Sequence, residues 1–227
     1  MDINSYLNIK NSLPEKVLLL AVSKTKPEED IMDLYNLGQR DFGENKVQEM
    51  TTKYNNLPKD IRWHQIGHLQ TNKIKYIVPY VHMIHSVDSL KLAQEINKQA
   101  QKTNKIIRCL LQIKVAEEET KFGFAPNDII QLFENNAFTQ LKNIKICGLM
   151  GMATNTENTN EINNEFSEIK KLFNYIKLQY YKNIDDFSEI SMGMSGDYNL
   201  AIKNGSTIIR LGSIIFGERD YSKQNKA

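Results

Sequence analysis

The apolar positions of this chain fall into short continuous runs separated by amphipathic stretches. The clearest run covers 17–22. Unbroken apolarity over so few residues fits a strand buried on both faces of a parallel sheet. The run stops at Ser23-Lys24-Thr25-Lys26-Pro27. Pro27 suits the first turn of a helix, with Glu28, Glu29 and Asp30 near the positive end of its dipole. Ile31, Leu34 and Leu37 give a helical stripe, and Gly38 ends it.

The same unit then recurs. Further strands are predicted at 41–45, 62–67, 81–87, 108–115, 144–152, 187–192 and 207–216. Helical patterns lie between them at 47–54, 72–77, 89–102, 127–135, 161–178 and 198–203. The polar stretch 155–164 reads as a loop, and the tail from 222 is expected to fray. Strict strand–helix alternation calls for parallel strands and right-handed crossovers. Eight units in so short a chain fit an α/β fold with a single (β/α)8 TIM barrel over 1–227. A doubly wound sheet is the alternative, but no GxGxxG follows the first strand.

Composition narrows the possible partners. The 227 residues carry a formal net charge of +2, which gives no support for a nucleic-acid or membrane surface. The longest apolar runs are too short for a bilayer, and the first 14 residues lack the apolar core of a secretory signal. A cytoplasmic location is expected. Cys109 and Cys147 sit in apolar runs without zinc spacing, and are read as buried reduced thiols.

Chemistry in such a barrel sits at the C-terminal ends of the strands. Lys24 ends the first strand, where desolvation lowers an amine pKa and a neutral amine can attack an aldehyde. The bland alternative is a lysine snorkelling into solvent, which is also the reading for Lys26. The segment from Ser191 to Asp197, with Ser195 in it, offers small residues, hydroxyls and backbone N–H groups to a phosphate. Gly212 and Ser213 offer a second such turn, and either turn can also be an ordinary tight turn. Arg210 interrupts an apolar strand, so it needs partners, whether structural or on a ligand. His64, His68, His82 and His85 have no metal-ligand spacing, and one or two of them are expected at the mouth. Glu117–Glu119 read as a solvated loop, and Met150, Met152, Met192 and Met194 as packing.

Several segments together resemble the pyridoxal-phosphate homeostasis proteins. They are 20–27 (LAVSKTKP), Phe42-Gly43-Glu44-Asn45 with Val47-Gln48-Glu49, and 63–73 (WHQIGHLQTNK). To these are added His85-Ser86-Val87-Asp88, 117–121 with Gly123, Gly148-Leu149-Met150, 191–195 with Asp197, and Arg210-Leu211-Gly212 with 215–217. The resemblance implies the barrel of an alanine racemase N-terminal domain, with pyridoxal 5′-phosphate held as a Schiff base on Lys24. It implies that Arg210 faces the pyridine nitrogen, discouraging the protonation that electron-sink catalysis uses. Ser195 becomes the side-chain phosphate ligand, Gly212 and Ser213 supply backbone donors, and Asn45 and Ser191 line the pocket near His64 and the Met150 strand.

The implied function is vitamin B6 and amino-acid homeostasis without turnover, by a monomer that exchanges cofactor with client apo-enzymes. The racemases' second domain, with its tyrosine base, has no counterpart after the last predicted strand, and Tyr221 is a poor substitute. The alternative is a fold-type III racemase or lyase acting on a small amino acid. One departure stands on the fifth strand, where Lys114 replaces the family's usual Asn.

Overall fold

The computed structural model describes residues 1–115, 122–182 and 184–217. Glu117–Glu119, Lys121, Tyr221 and the tail from 222 lie outside these residues. The chain opens with α1 (Ile3–Ser12), then runs β1 (Leu18–Val22), α2 (Glu28–Asn36), β2 (Asp41–Glu44) and α3 (Val47–Asn56). Next come β3 (Arg62–Gln65), a 3-10 turn (Thr71–Lys73) leading into α4 (Ile74–Ile77), β4 (Met83–Val87), α5 (Leu90–Lys102), β5 (Ile107–Ile113) and α6 (Pro126–Glu134). The last elements are β6 (Ile144–Gly151), α7 (Thr159–Tyr180), β7 (Glu189–Ser191), α8 (Tyr198–Lys203), β8 (Ile208–Leu211) and α9 (Ser213–Phe216).

The eight strands pair in chain order and close into one barrel, as the alternation predicts. Every neighbouring pair is parallel, and closure pairs Leu18 with Ile208 and Ala21 with Leu211. Alternate residues of β1 serve two cores. Leu19 and Ala21 join the large outer core between sheet and helices. Leu20 joins a small interior cluster with Met83, Leu110, Cys147, Met150 and Ile208. The remaining interior is polar, because Asp41, His64, His85, Ser191 and Arg210 are all buried there.

Gly148 on β6 is fixed by its neighbour strand. Its φ is +152°, and a Cβ would lie 1.8 Å from the Glu189 carbonyl oxygen. Both cysteines are buried and unbridged, and burial pushes both thiols up. No described helix is long and apolar enough to cross a membrane.

Three expectations are corrected. The last strand stops at Leu211 rather than 216, because Gly212 leaves the extended conformation and the apolar run beyond it winds into α9. Pro27 stands one position earlier than expected, as the N-cap of α2. Helix α1 has no counterpart in the pattern read above. Its buried face is only Tyr6 and Ile9, and Asp2 caps it by accepting from the Ser5 amide at 2.9 Å.

Candidate functional site

A cavity of about 500 Å³ opens at the C-terminal strand ends, a size ordinary for small-ligand sites. Lys24, Asn45, Ser195, Arg210, Gly212 and Ser213 all border it. Gly67, Gln112 and Met152 border it as well, so seven of the eight strand ends or their loops meet there, with Lys24 and Ser213 standing 189 positions apart in the chain. Gly67 lets two of these loops close up, since a Cβ would lie 2.7 Å from the Asn45 carbonyl oxygen.

The loop carrying Lys24 is held from behind. Ser23 donates its hydroxyl to Glu44 Oε1 at 2.6 Å, and its carbonyl accepts from Lys53 Nζ at 2.8 Å. The Thr25 amide donates to Glu49 Oε1 at 2.6 Å, and Thr25 takes the left-handed conformation, φ 65°. Lys53 Nζ also reaches Glu44 Oε1 at 2.8 Å and Glu49 Oε1 at 2.7 Å. Both neighbours of Lys24 are thus fastened to one buried ion cluster on the outer face of β2 and on α3. Burial pushes the Glu44 carboxyl up to about 7 against the opposing charge of Lys53.

On the far wall, the turns after β7 and β8 converge. Ser195 Oγ accepts from the Ile214 amide at 3.5 Å, in the first turn of α9. The opening N–H groups of a helix have no intrahelical acceptor, and the loops after strands seven and eight of such barrels recurrently receive phosphate. Arg210 reaches the cavity wall from an almost fully buried position. NH1 donates to the Ser191 carbonyl at 2.7 Å and to Ser191 Oγ at 2.8 Å, and NH2 donates to the Gly151 carbonyl at 2.9 Å. Burial lowers its pKa to about 10, with Asp197 opposing the shift.

Two expected positions move. Ser191 is not in the cavity wall but beneath Arg210, which it holds. His64 lies in the barrel interior rather than at the mouth, where His64 Nε2 meets Asp41 Oδ1 at 3.1 Å. Met150 belongs to the interior cluster, and Lys114 does not border the cavity.

Other residues of the wall escaped the sequence reading. Lys26 is there, donating to the Phe216 and Gly217 carbonyls at 2.9 and 3.2 Å. Gln112 is there too, donating to the Phe122 carbonyl at 2.8 Å. Phe122 stacks on His68 with centroids 3.9 Å apart, and His68 Nδ1 lies 2.9 Å from Asp88 Oδ2. The alternation of β5 carries the only signal for Gln112, which shares the inward face with Arg108 and Leu110 while its neighbours Leu111 and Ile113 face the outer core.

Asp41, His64 and His82 each present one potential metal-ligand atom, all within 4.8 Å of one another. Two guanidiniums weigh against a cation there. Arg62 grips Asp41 with Nε at 2.7 Å and with NH2, and the charge of Arg108 helps depress His64 and His82 after burial.

Residues 4–220 match the family described as the alanine racemase N-terminal domain. A pyridoxal phosphate homeostasis protein of Aquifex aeolicus is 42% identical over 204 residues, 89% of this chain and 87% of that one. This chain belongs to the pyridoxal phosphate homeostasis proteins of that family. The human member is 38% identical over 220 residues, covering 91% of this chain and 78% of its own. Among solved members, PipY of Synechococcus elongatus with pyridoxal phosphate bound superposes with a TM-score of 0.86 at 34% identity, over 94% of this chain and 99% of that chain. Alanine racemase of Clostridium difficile, 16% identical with a TM-score of 0.74, covers 96% of this chain and 55% of its own, a likeness of fold alone.

Proposed function

We propose that this protein binds pyridoxal phosphate (PLP) in the cavity at the barrel mouth, as part of vitamin B6 homeostasis and without turnover. The observation that carries the reading is the donor set of that one cavity. An amine, two hydroxyl-bearing turns and a buried arginine stand around it, matching an aldehyde, a phosphate and a ring nitrogen. The PLP-bound relative and the names of the curated relatives support the same reading.

When bound, the cofactor supplies an electrophilic aldehyde on an electron-withdrawing ring. Lys24 would hold the aldehyde carbon, with its loop fixed by the Glu44–Lys53–Glu49 cluster. Ser195, with the backbone donors at Gly212 and Ser213, would hold the phosphate. Arg210 can only donate hydrogen bonds, so it would leave a facing ring nitrogen without a proton. That disfavours the electron-sink chemistry of a racemase or lyase and supports a store or carrier that passes cofactor to client apo-enzymes. Membrane and nucleic acid have no place in this reading.

The test is a visible spectrum of the protein with added PLP, followed by borohydride reduction and peptide mapping. The expected result is a yellow protein whose reduced adduct maps to Lys24, with no interconversion or cleavage of added amino acids. A colourless protein without adduct overturns the binding site, and steady conversion of an amino acid overturns the absence of turnover.

A further inference from the structure

The barrel interior carries a file of polar side chains that the cofactor site alone does not explain. Arg210 NH1 reaches Ser191 Oγ at 2.8 Å. Ser191 Oγ lies 2.9 Å from His85 Nδ1. His85 Nε2 lies 2.9 Å from His64 Nδ1, and His64 Nε2 lies 3.1 Å from Asp41 Oδ1. The file crosses from β8 at the mouth, through β7, β4 and β3, to β2. There Asp41 meets Arg62, which is half exposed on its side chain. Every member but Arg62 is buried.

The ends of the file dictate its polarity. A guanidinium only donates and a carboxylate only accepts. Burial alone would raise the Asp41 carboxyl, but hydrogen bonds from Arg62 and His64 outweigh it and hold the group at about 2. Asp41 therefore accepts from His64 Nε2–H. His64 Nδ1 is then free to accept from His85 Nε2–H, and His85 Nδ1 accepts from the Ser191 hydroxyl. Ser191 Oγ in turn accepts from Arg210. All four bonds donate in one sense, and both histidines must be neutral Nε2–H tautomers. Burial, the main cause, depresses both imidazoles, which agrees with neutral rings.

We propose that Asp41, His64, His85 and Ser191 form a directed hydrogen-bond relay that holds Arg210 charged and aimed at the cavity, and so keeps the ring nitrogen opposite it unprotonated. These four are positioning residues, since none but Arg210 would touch the cofactor. The second half of the proposal rests on the PLP reading above. The interior of such a barrel is ordinarily branched aliphatic, and well-packed apolar groups serve stability as well as buried polar ones do. Stability alone therefore does not account for five aligned polar side chains. Asp197 is the anion whose charge acts on Arg210 directly, while His82 and Arg108 flank the far end of the file.

The chain has four histidines, so protein labelled with 15N-histidine reports each ring directly. In unloaded wild type, His64 and His85 should both give the ring-nitrogen shifts of neutral Nε2–H tautomers. An Nδ1–H tautomer or an imidazolium at either position overturns the relay, and this result needs no cofactor and no variant. Loading with 15N-pyridine-labelled PLP reads the second half. In wild type the ring nitrogen should stay unprotonated from about pH 5 to 9. In His85→Phe, which cuts the file, and in Asp41→Ala, which removes its anion, the protonated fraction should rise roughly tenfold or more. Unchanged signals in loaded His85→Phe and Asp41→Ala overturn the proposed control of Arg210. Wild type that takes up no label overturns the PLP reading and the second half with it, while the tautomers still decide the first. Should one variant fail to fold, the other carries the comparison.

Discussion

Lys24 leaves β1 between two neighbours that are both tied down, Ser23 to Glu44 and Lys53, and Thr25 to Glu49. Removing its side chain leaves those ties in place. Lys24→Ala should therefore abolish the reducible PLP adduct, seen by mass spectrometry, while changing stability by no more than about 1 kcal/mol. Gly148 is the opposite kind of residue, remote from the cavity and intolerant of change. Its φ of +152° and the 1.8 Å approach of the Glu189 carbonyl to a Cβ leave nowhere for a methyl group except into backbone. Gly148→Ala should cost more than about 3 kcal/mol in denaturant unfolding. At this scale the sequence was legible where position after a strand decides the role, as with Lys24. It was illegible where the partner is remote in the chain. His85 and Ser191 lie 106 residues apart, and no local pattern announces that they touch. Ser191 and His64 were accordingly expected at the cavity, and they support it from inside.

Among the elements, β2 shows how one short strand can impose two opposed pH dependences. Asp41 faces the interior and Glu44 faces α3. Asp41 is held at about 2 against an ordinary 3.8, so its contribution is complete above about pH 4 and is lost as pH falls towards 2. Glu44 is pushed by burial to about 7 from an ordinary 4.5. Between those values the folded chain keeps a proton that the unfolded chain has released, so stability falls as pH rises. Thermal unfolding across pH should show a rise at the acid end and a decline above about pH 5. Glu44→Gln should flatten the decline, and Asp41→Asn should remove the rise. Strand β1 was readable because it is a continuous apolar run buried on both sides, whereas the short polar strands β2, β3 and β7 were readable only from the strand–helix alternation around them. The exceptions have physical reasons. Helix α1 buries only two residues of its own, too few for a visible stripe. Helix α9 hides in an apolar run that looks like more strand until Gly212 turns it.

For the molecule as a whole, ligand and fold are linked. A cofactor that binds only the closed barrel adds about 2.7 kcal/mol of stability at a hundred times its Kd. For a chain of this length that corresponds to several degrees in Tm, at roughly 2–4 °C per kcal/mol. Added PLP should raise the midpoint of wild type by this order, and should raise that of Lys24→Ala much less. Calorimetry of both proteins with and without PLP makes the comparison.

The pairing of β1 with β8 joins Leu18 to Ile208, a contact between the two ends of the chain. Such non-local pairings form slowly, because the loop they close is long. Lys24 stands on one side of that seam, with Arg210 and Ser195 on the other. The cavity therefore does not exist in any partly made barrel, whether during synthesis or during refolding. Capture of the cofactor becomes a signal of completion. In a refolding experiment the PLP colour should return only with the final phase, after most of the helical signal has recovered.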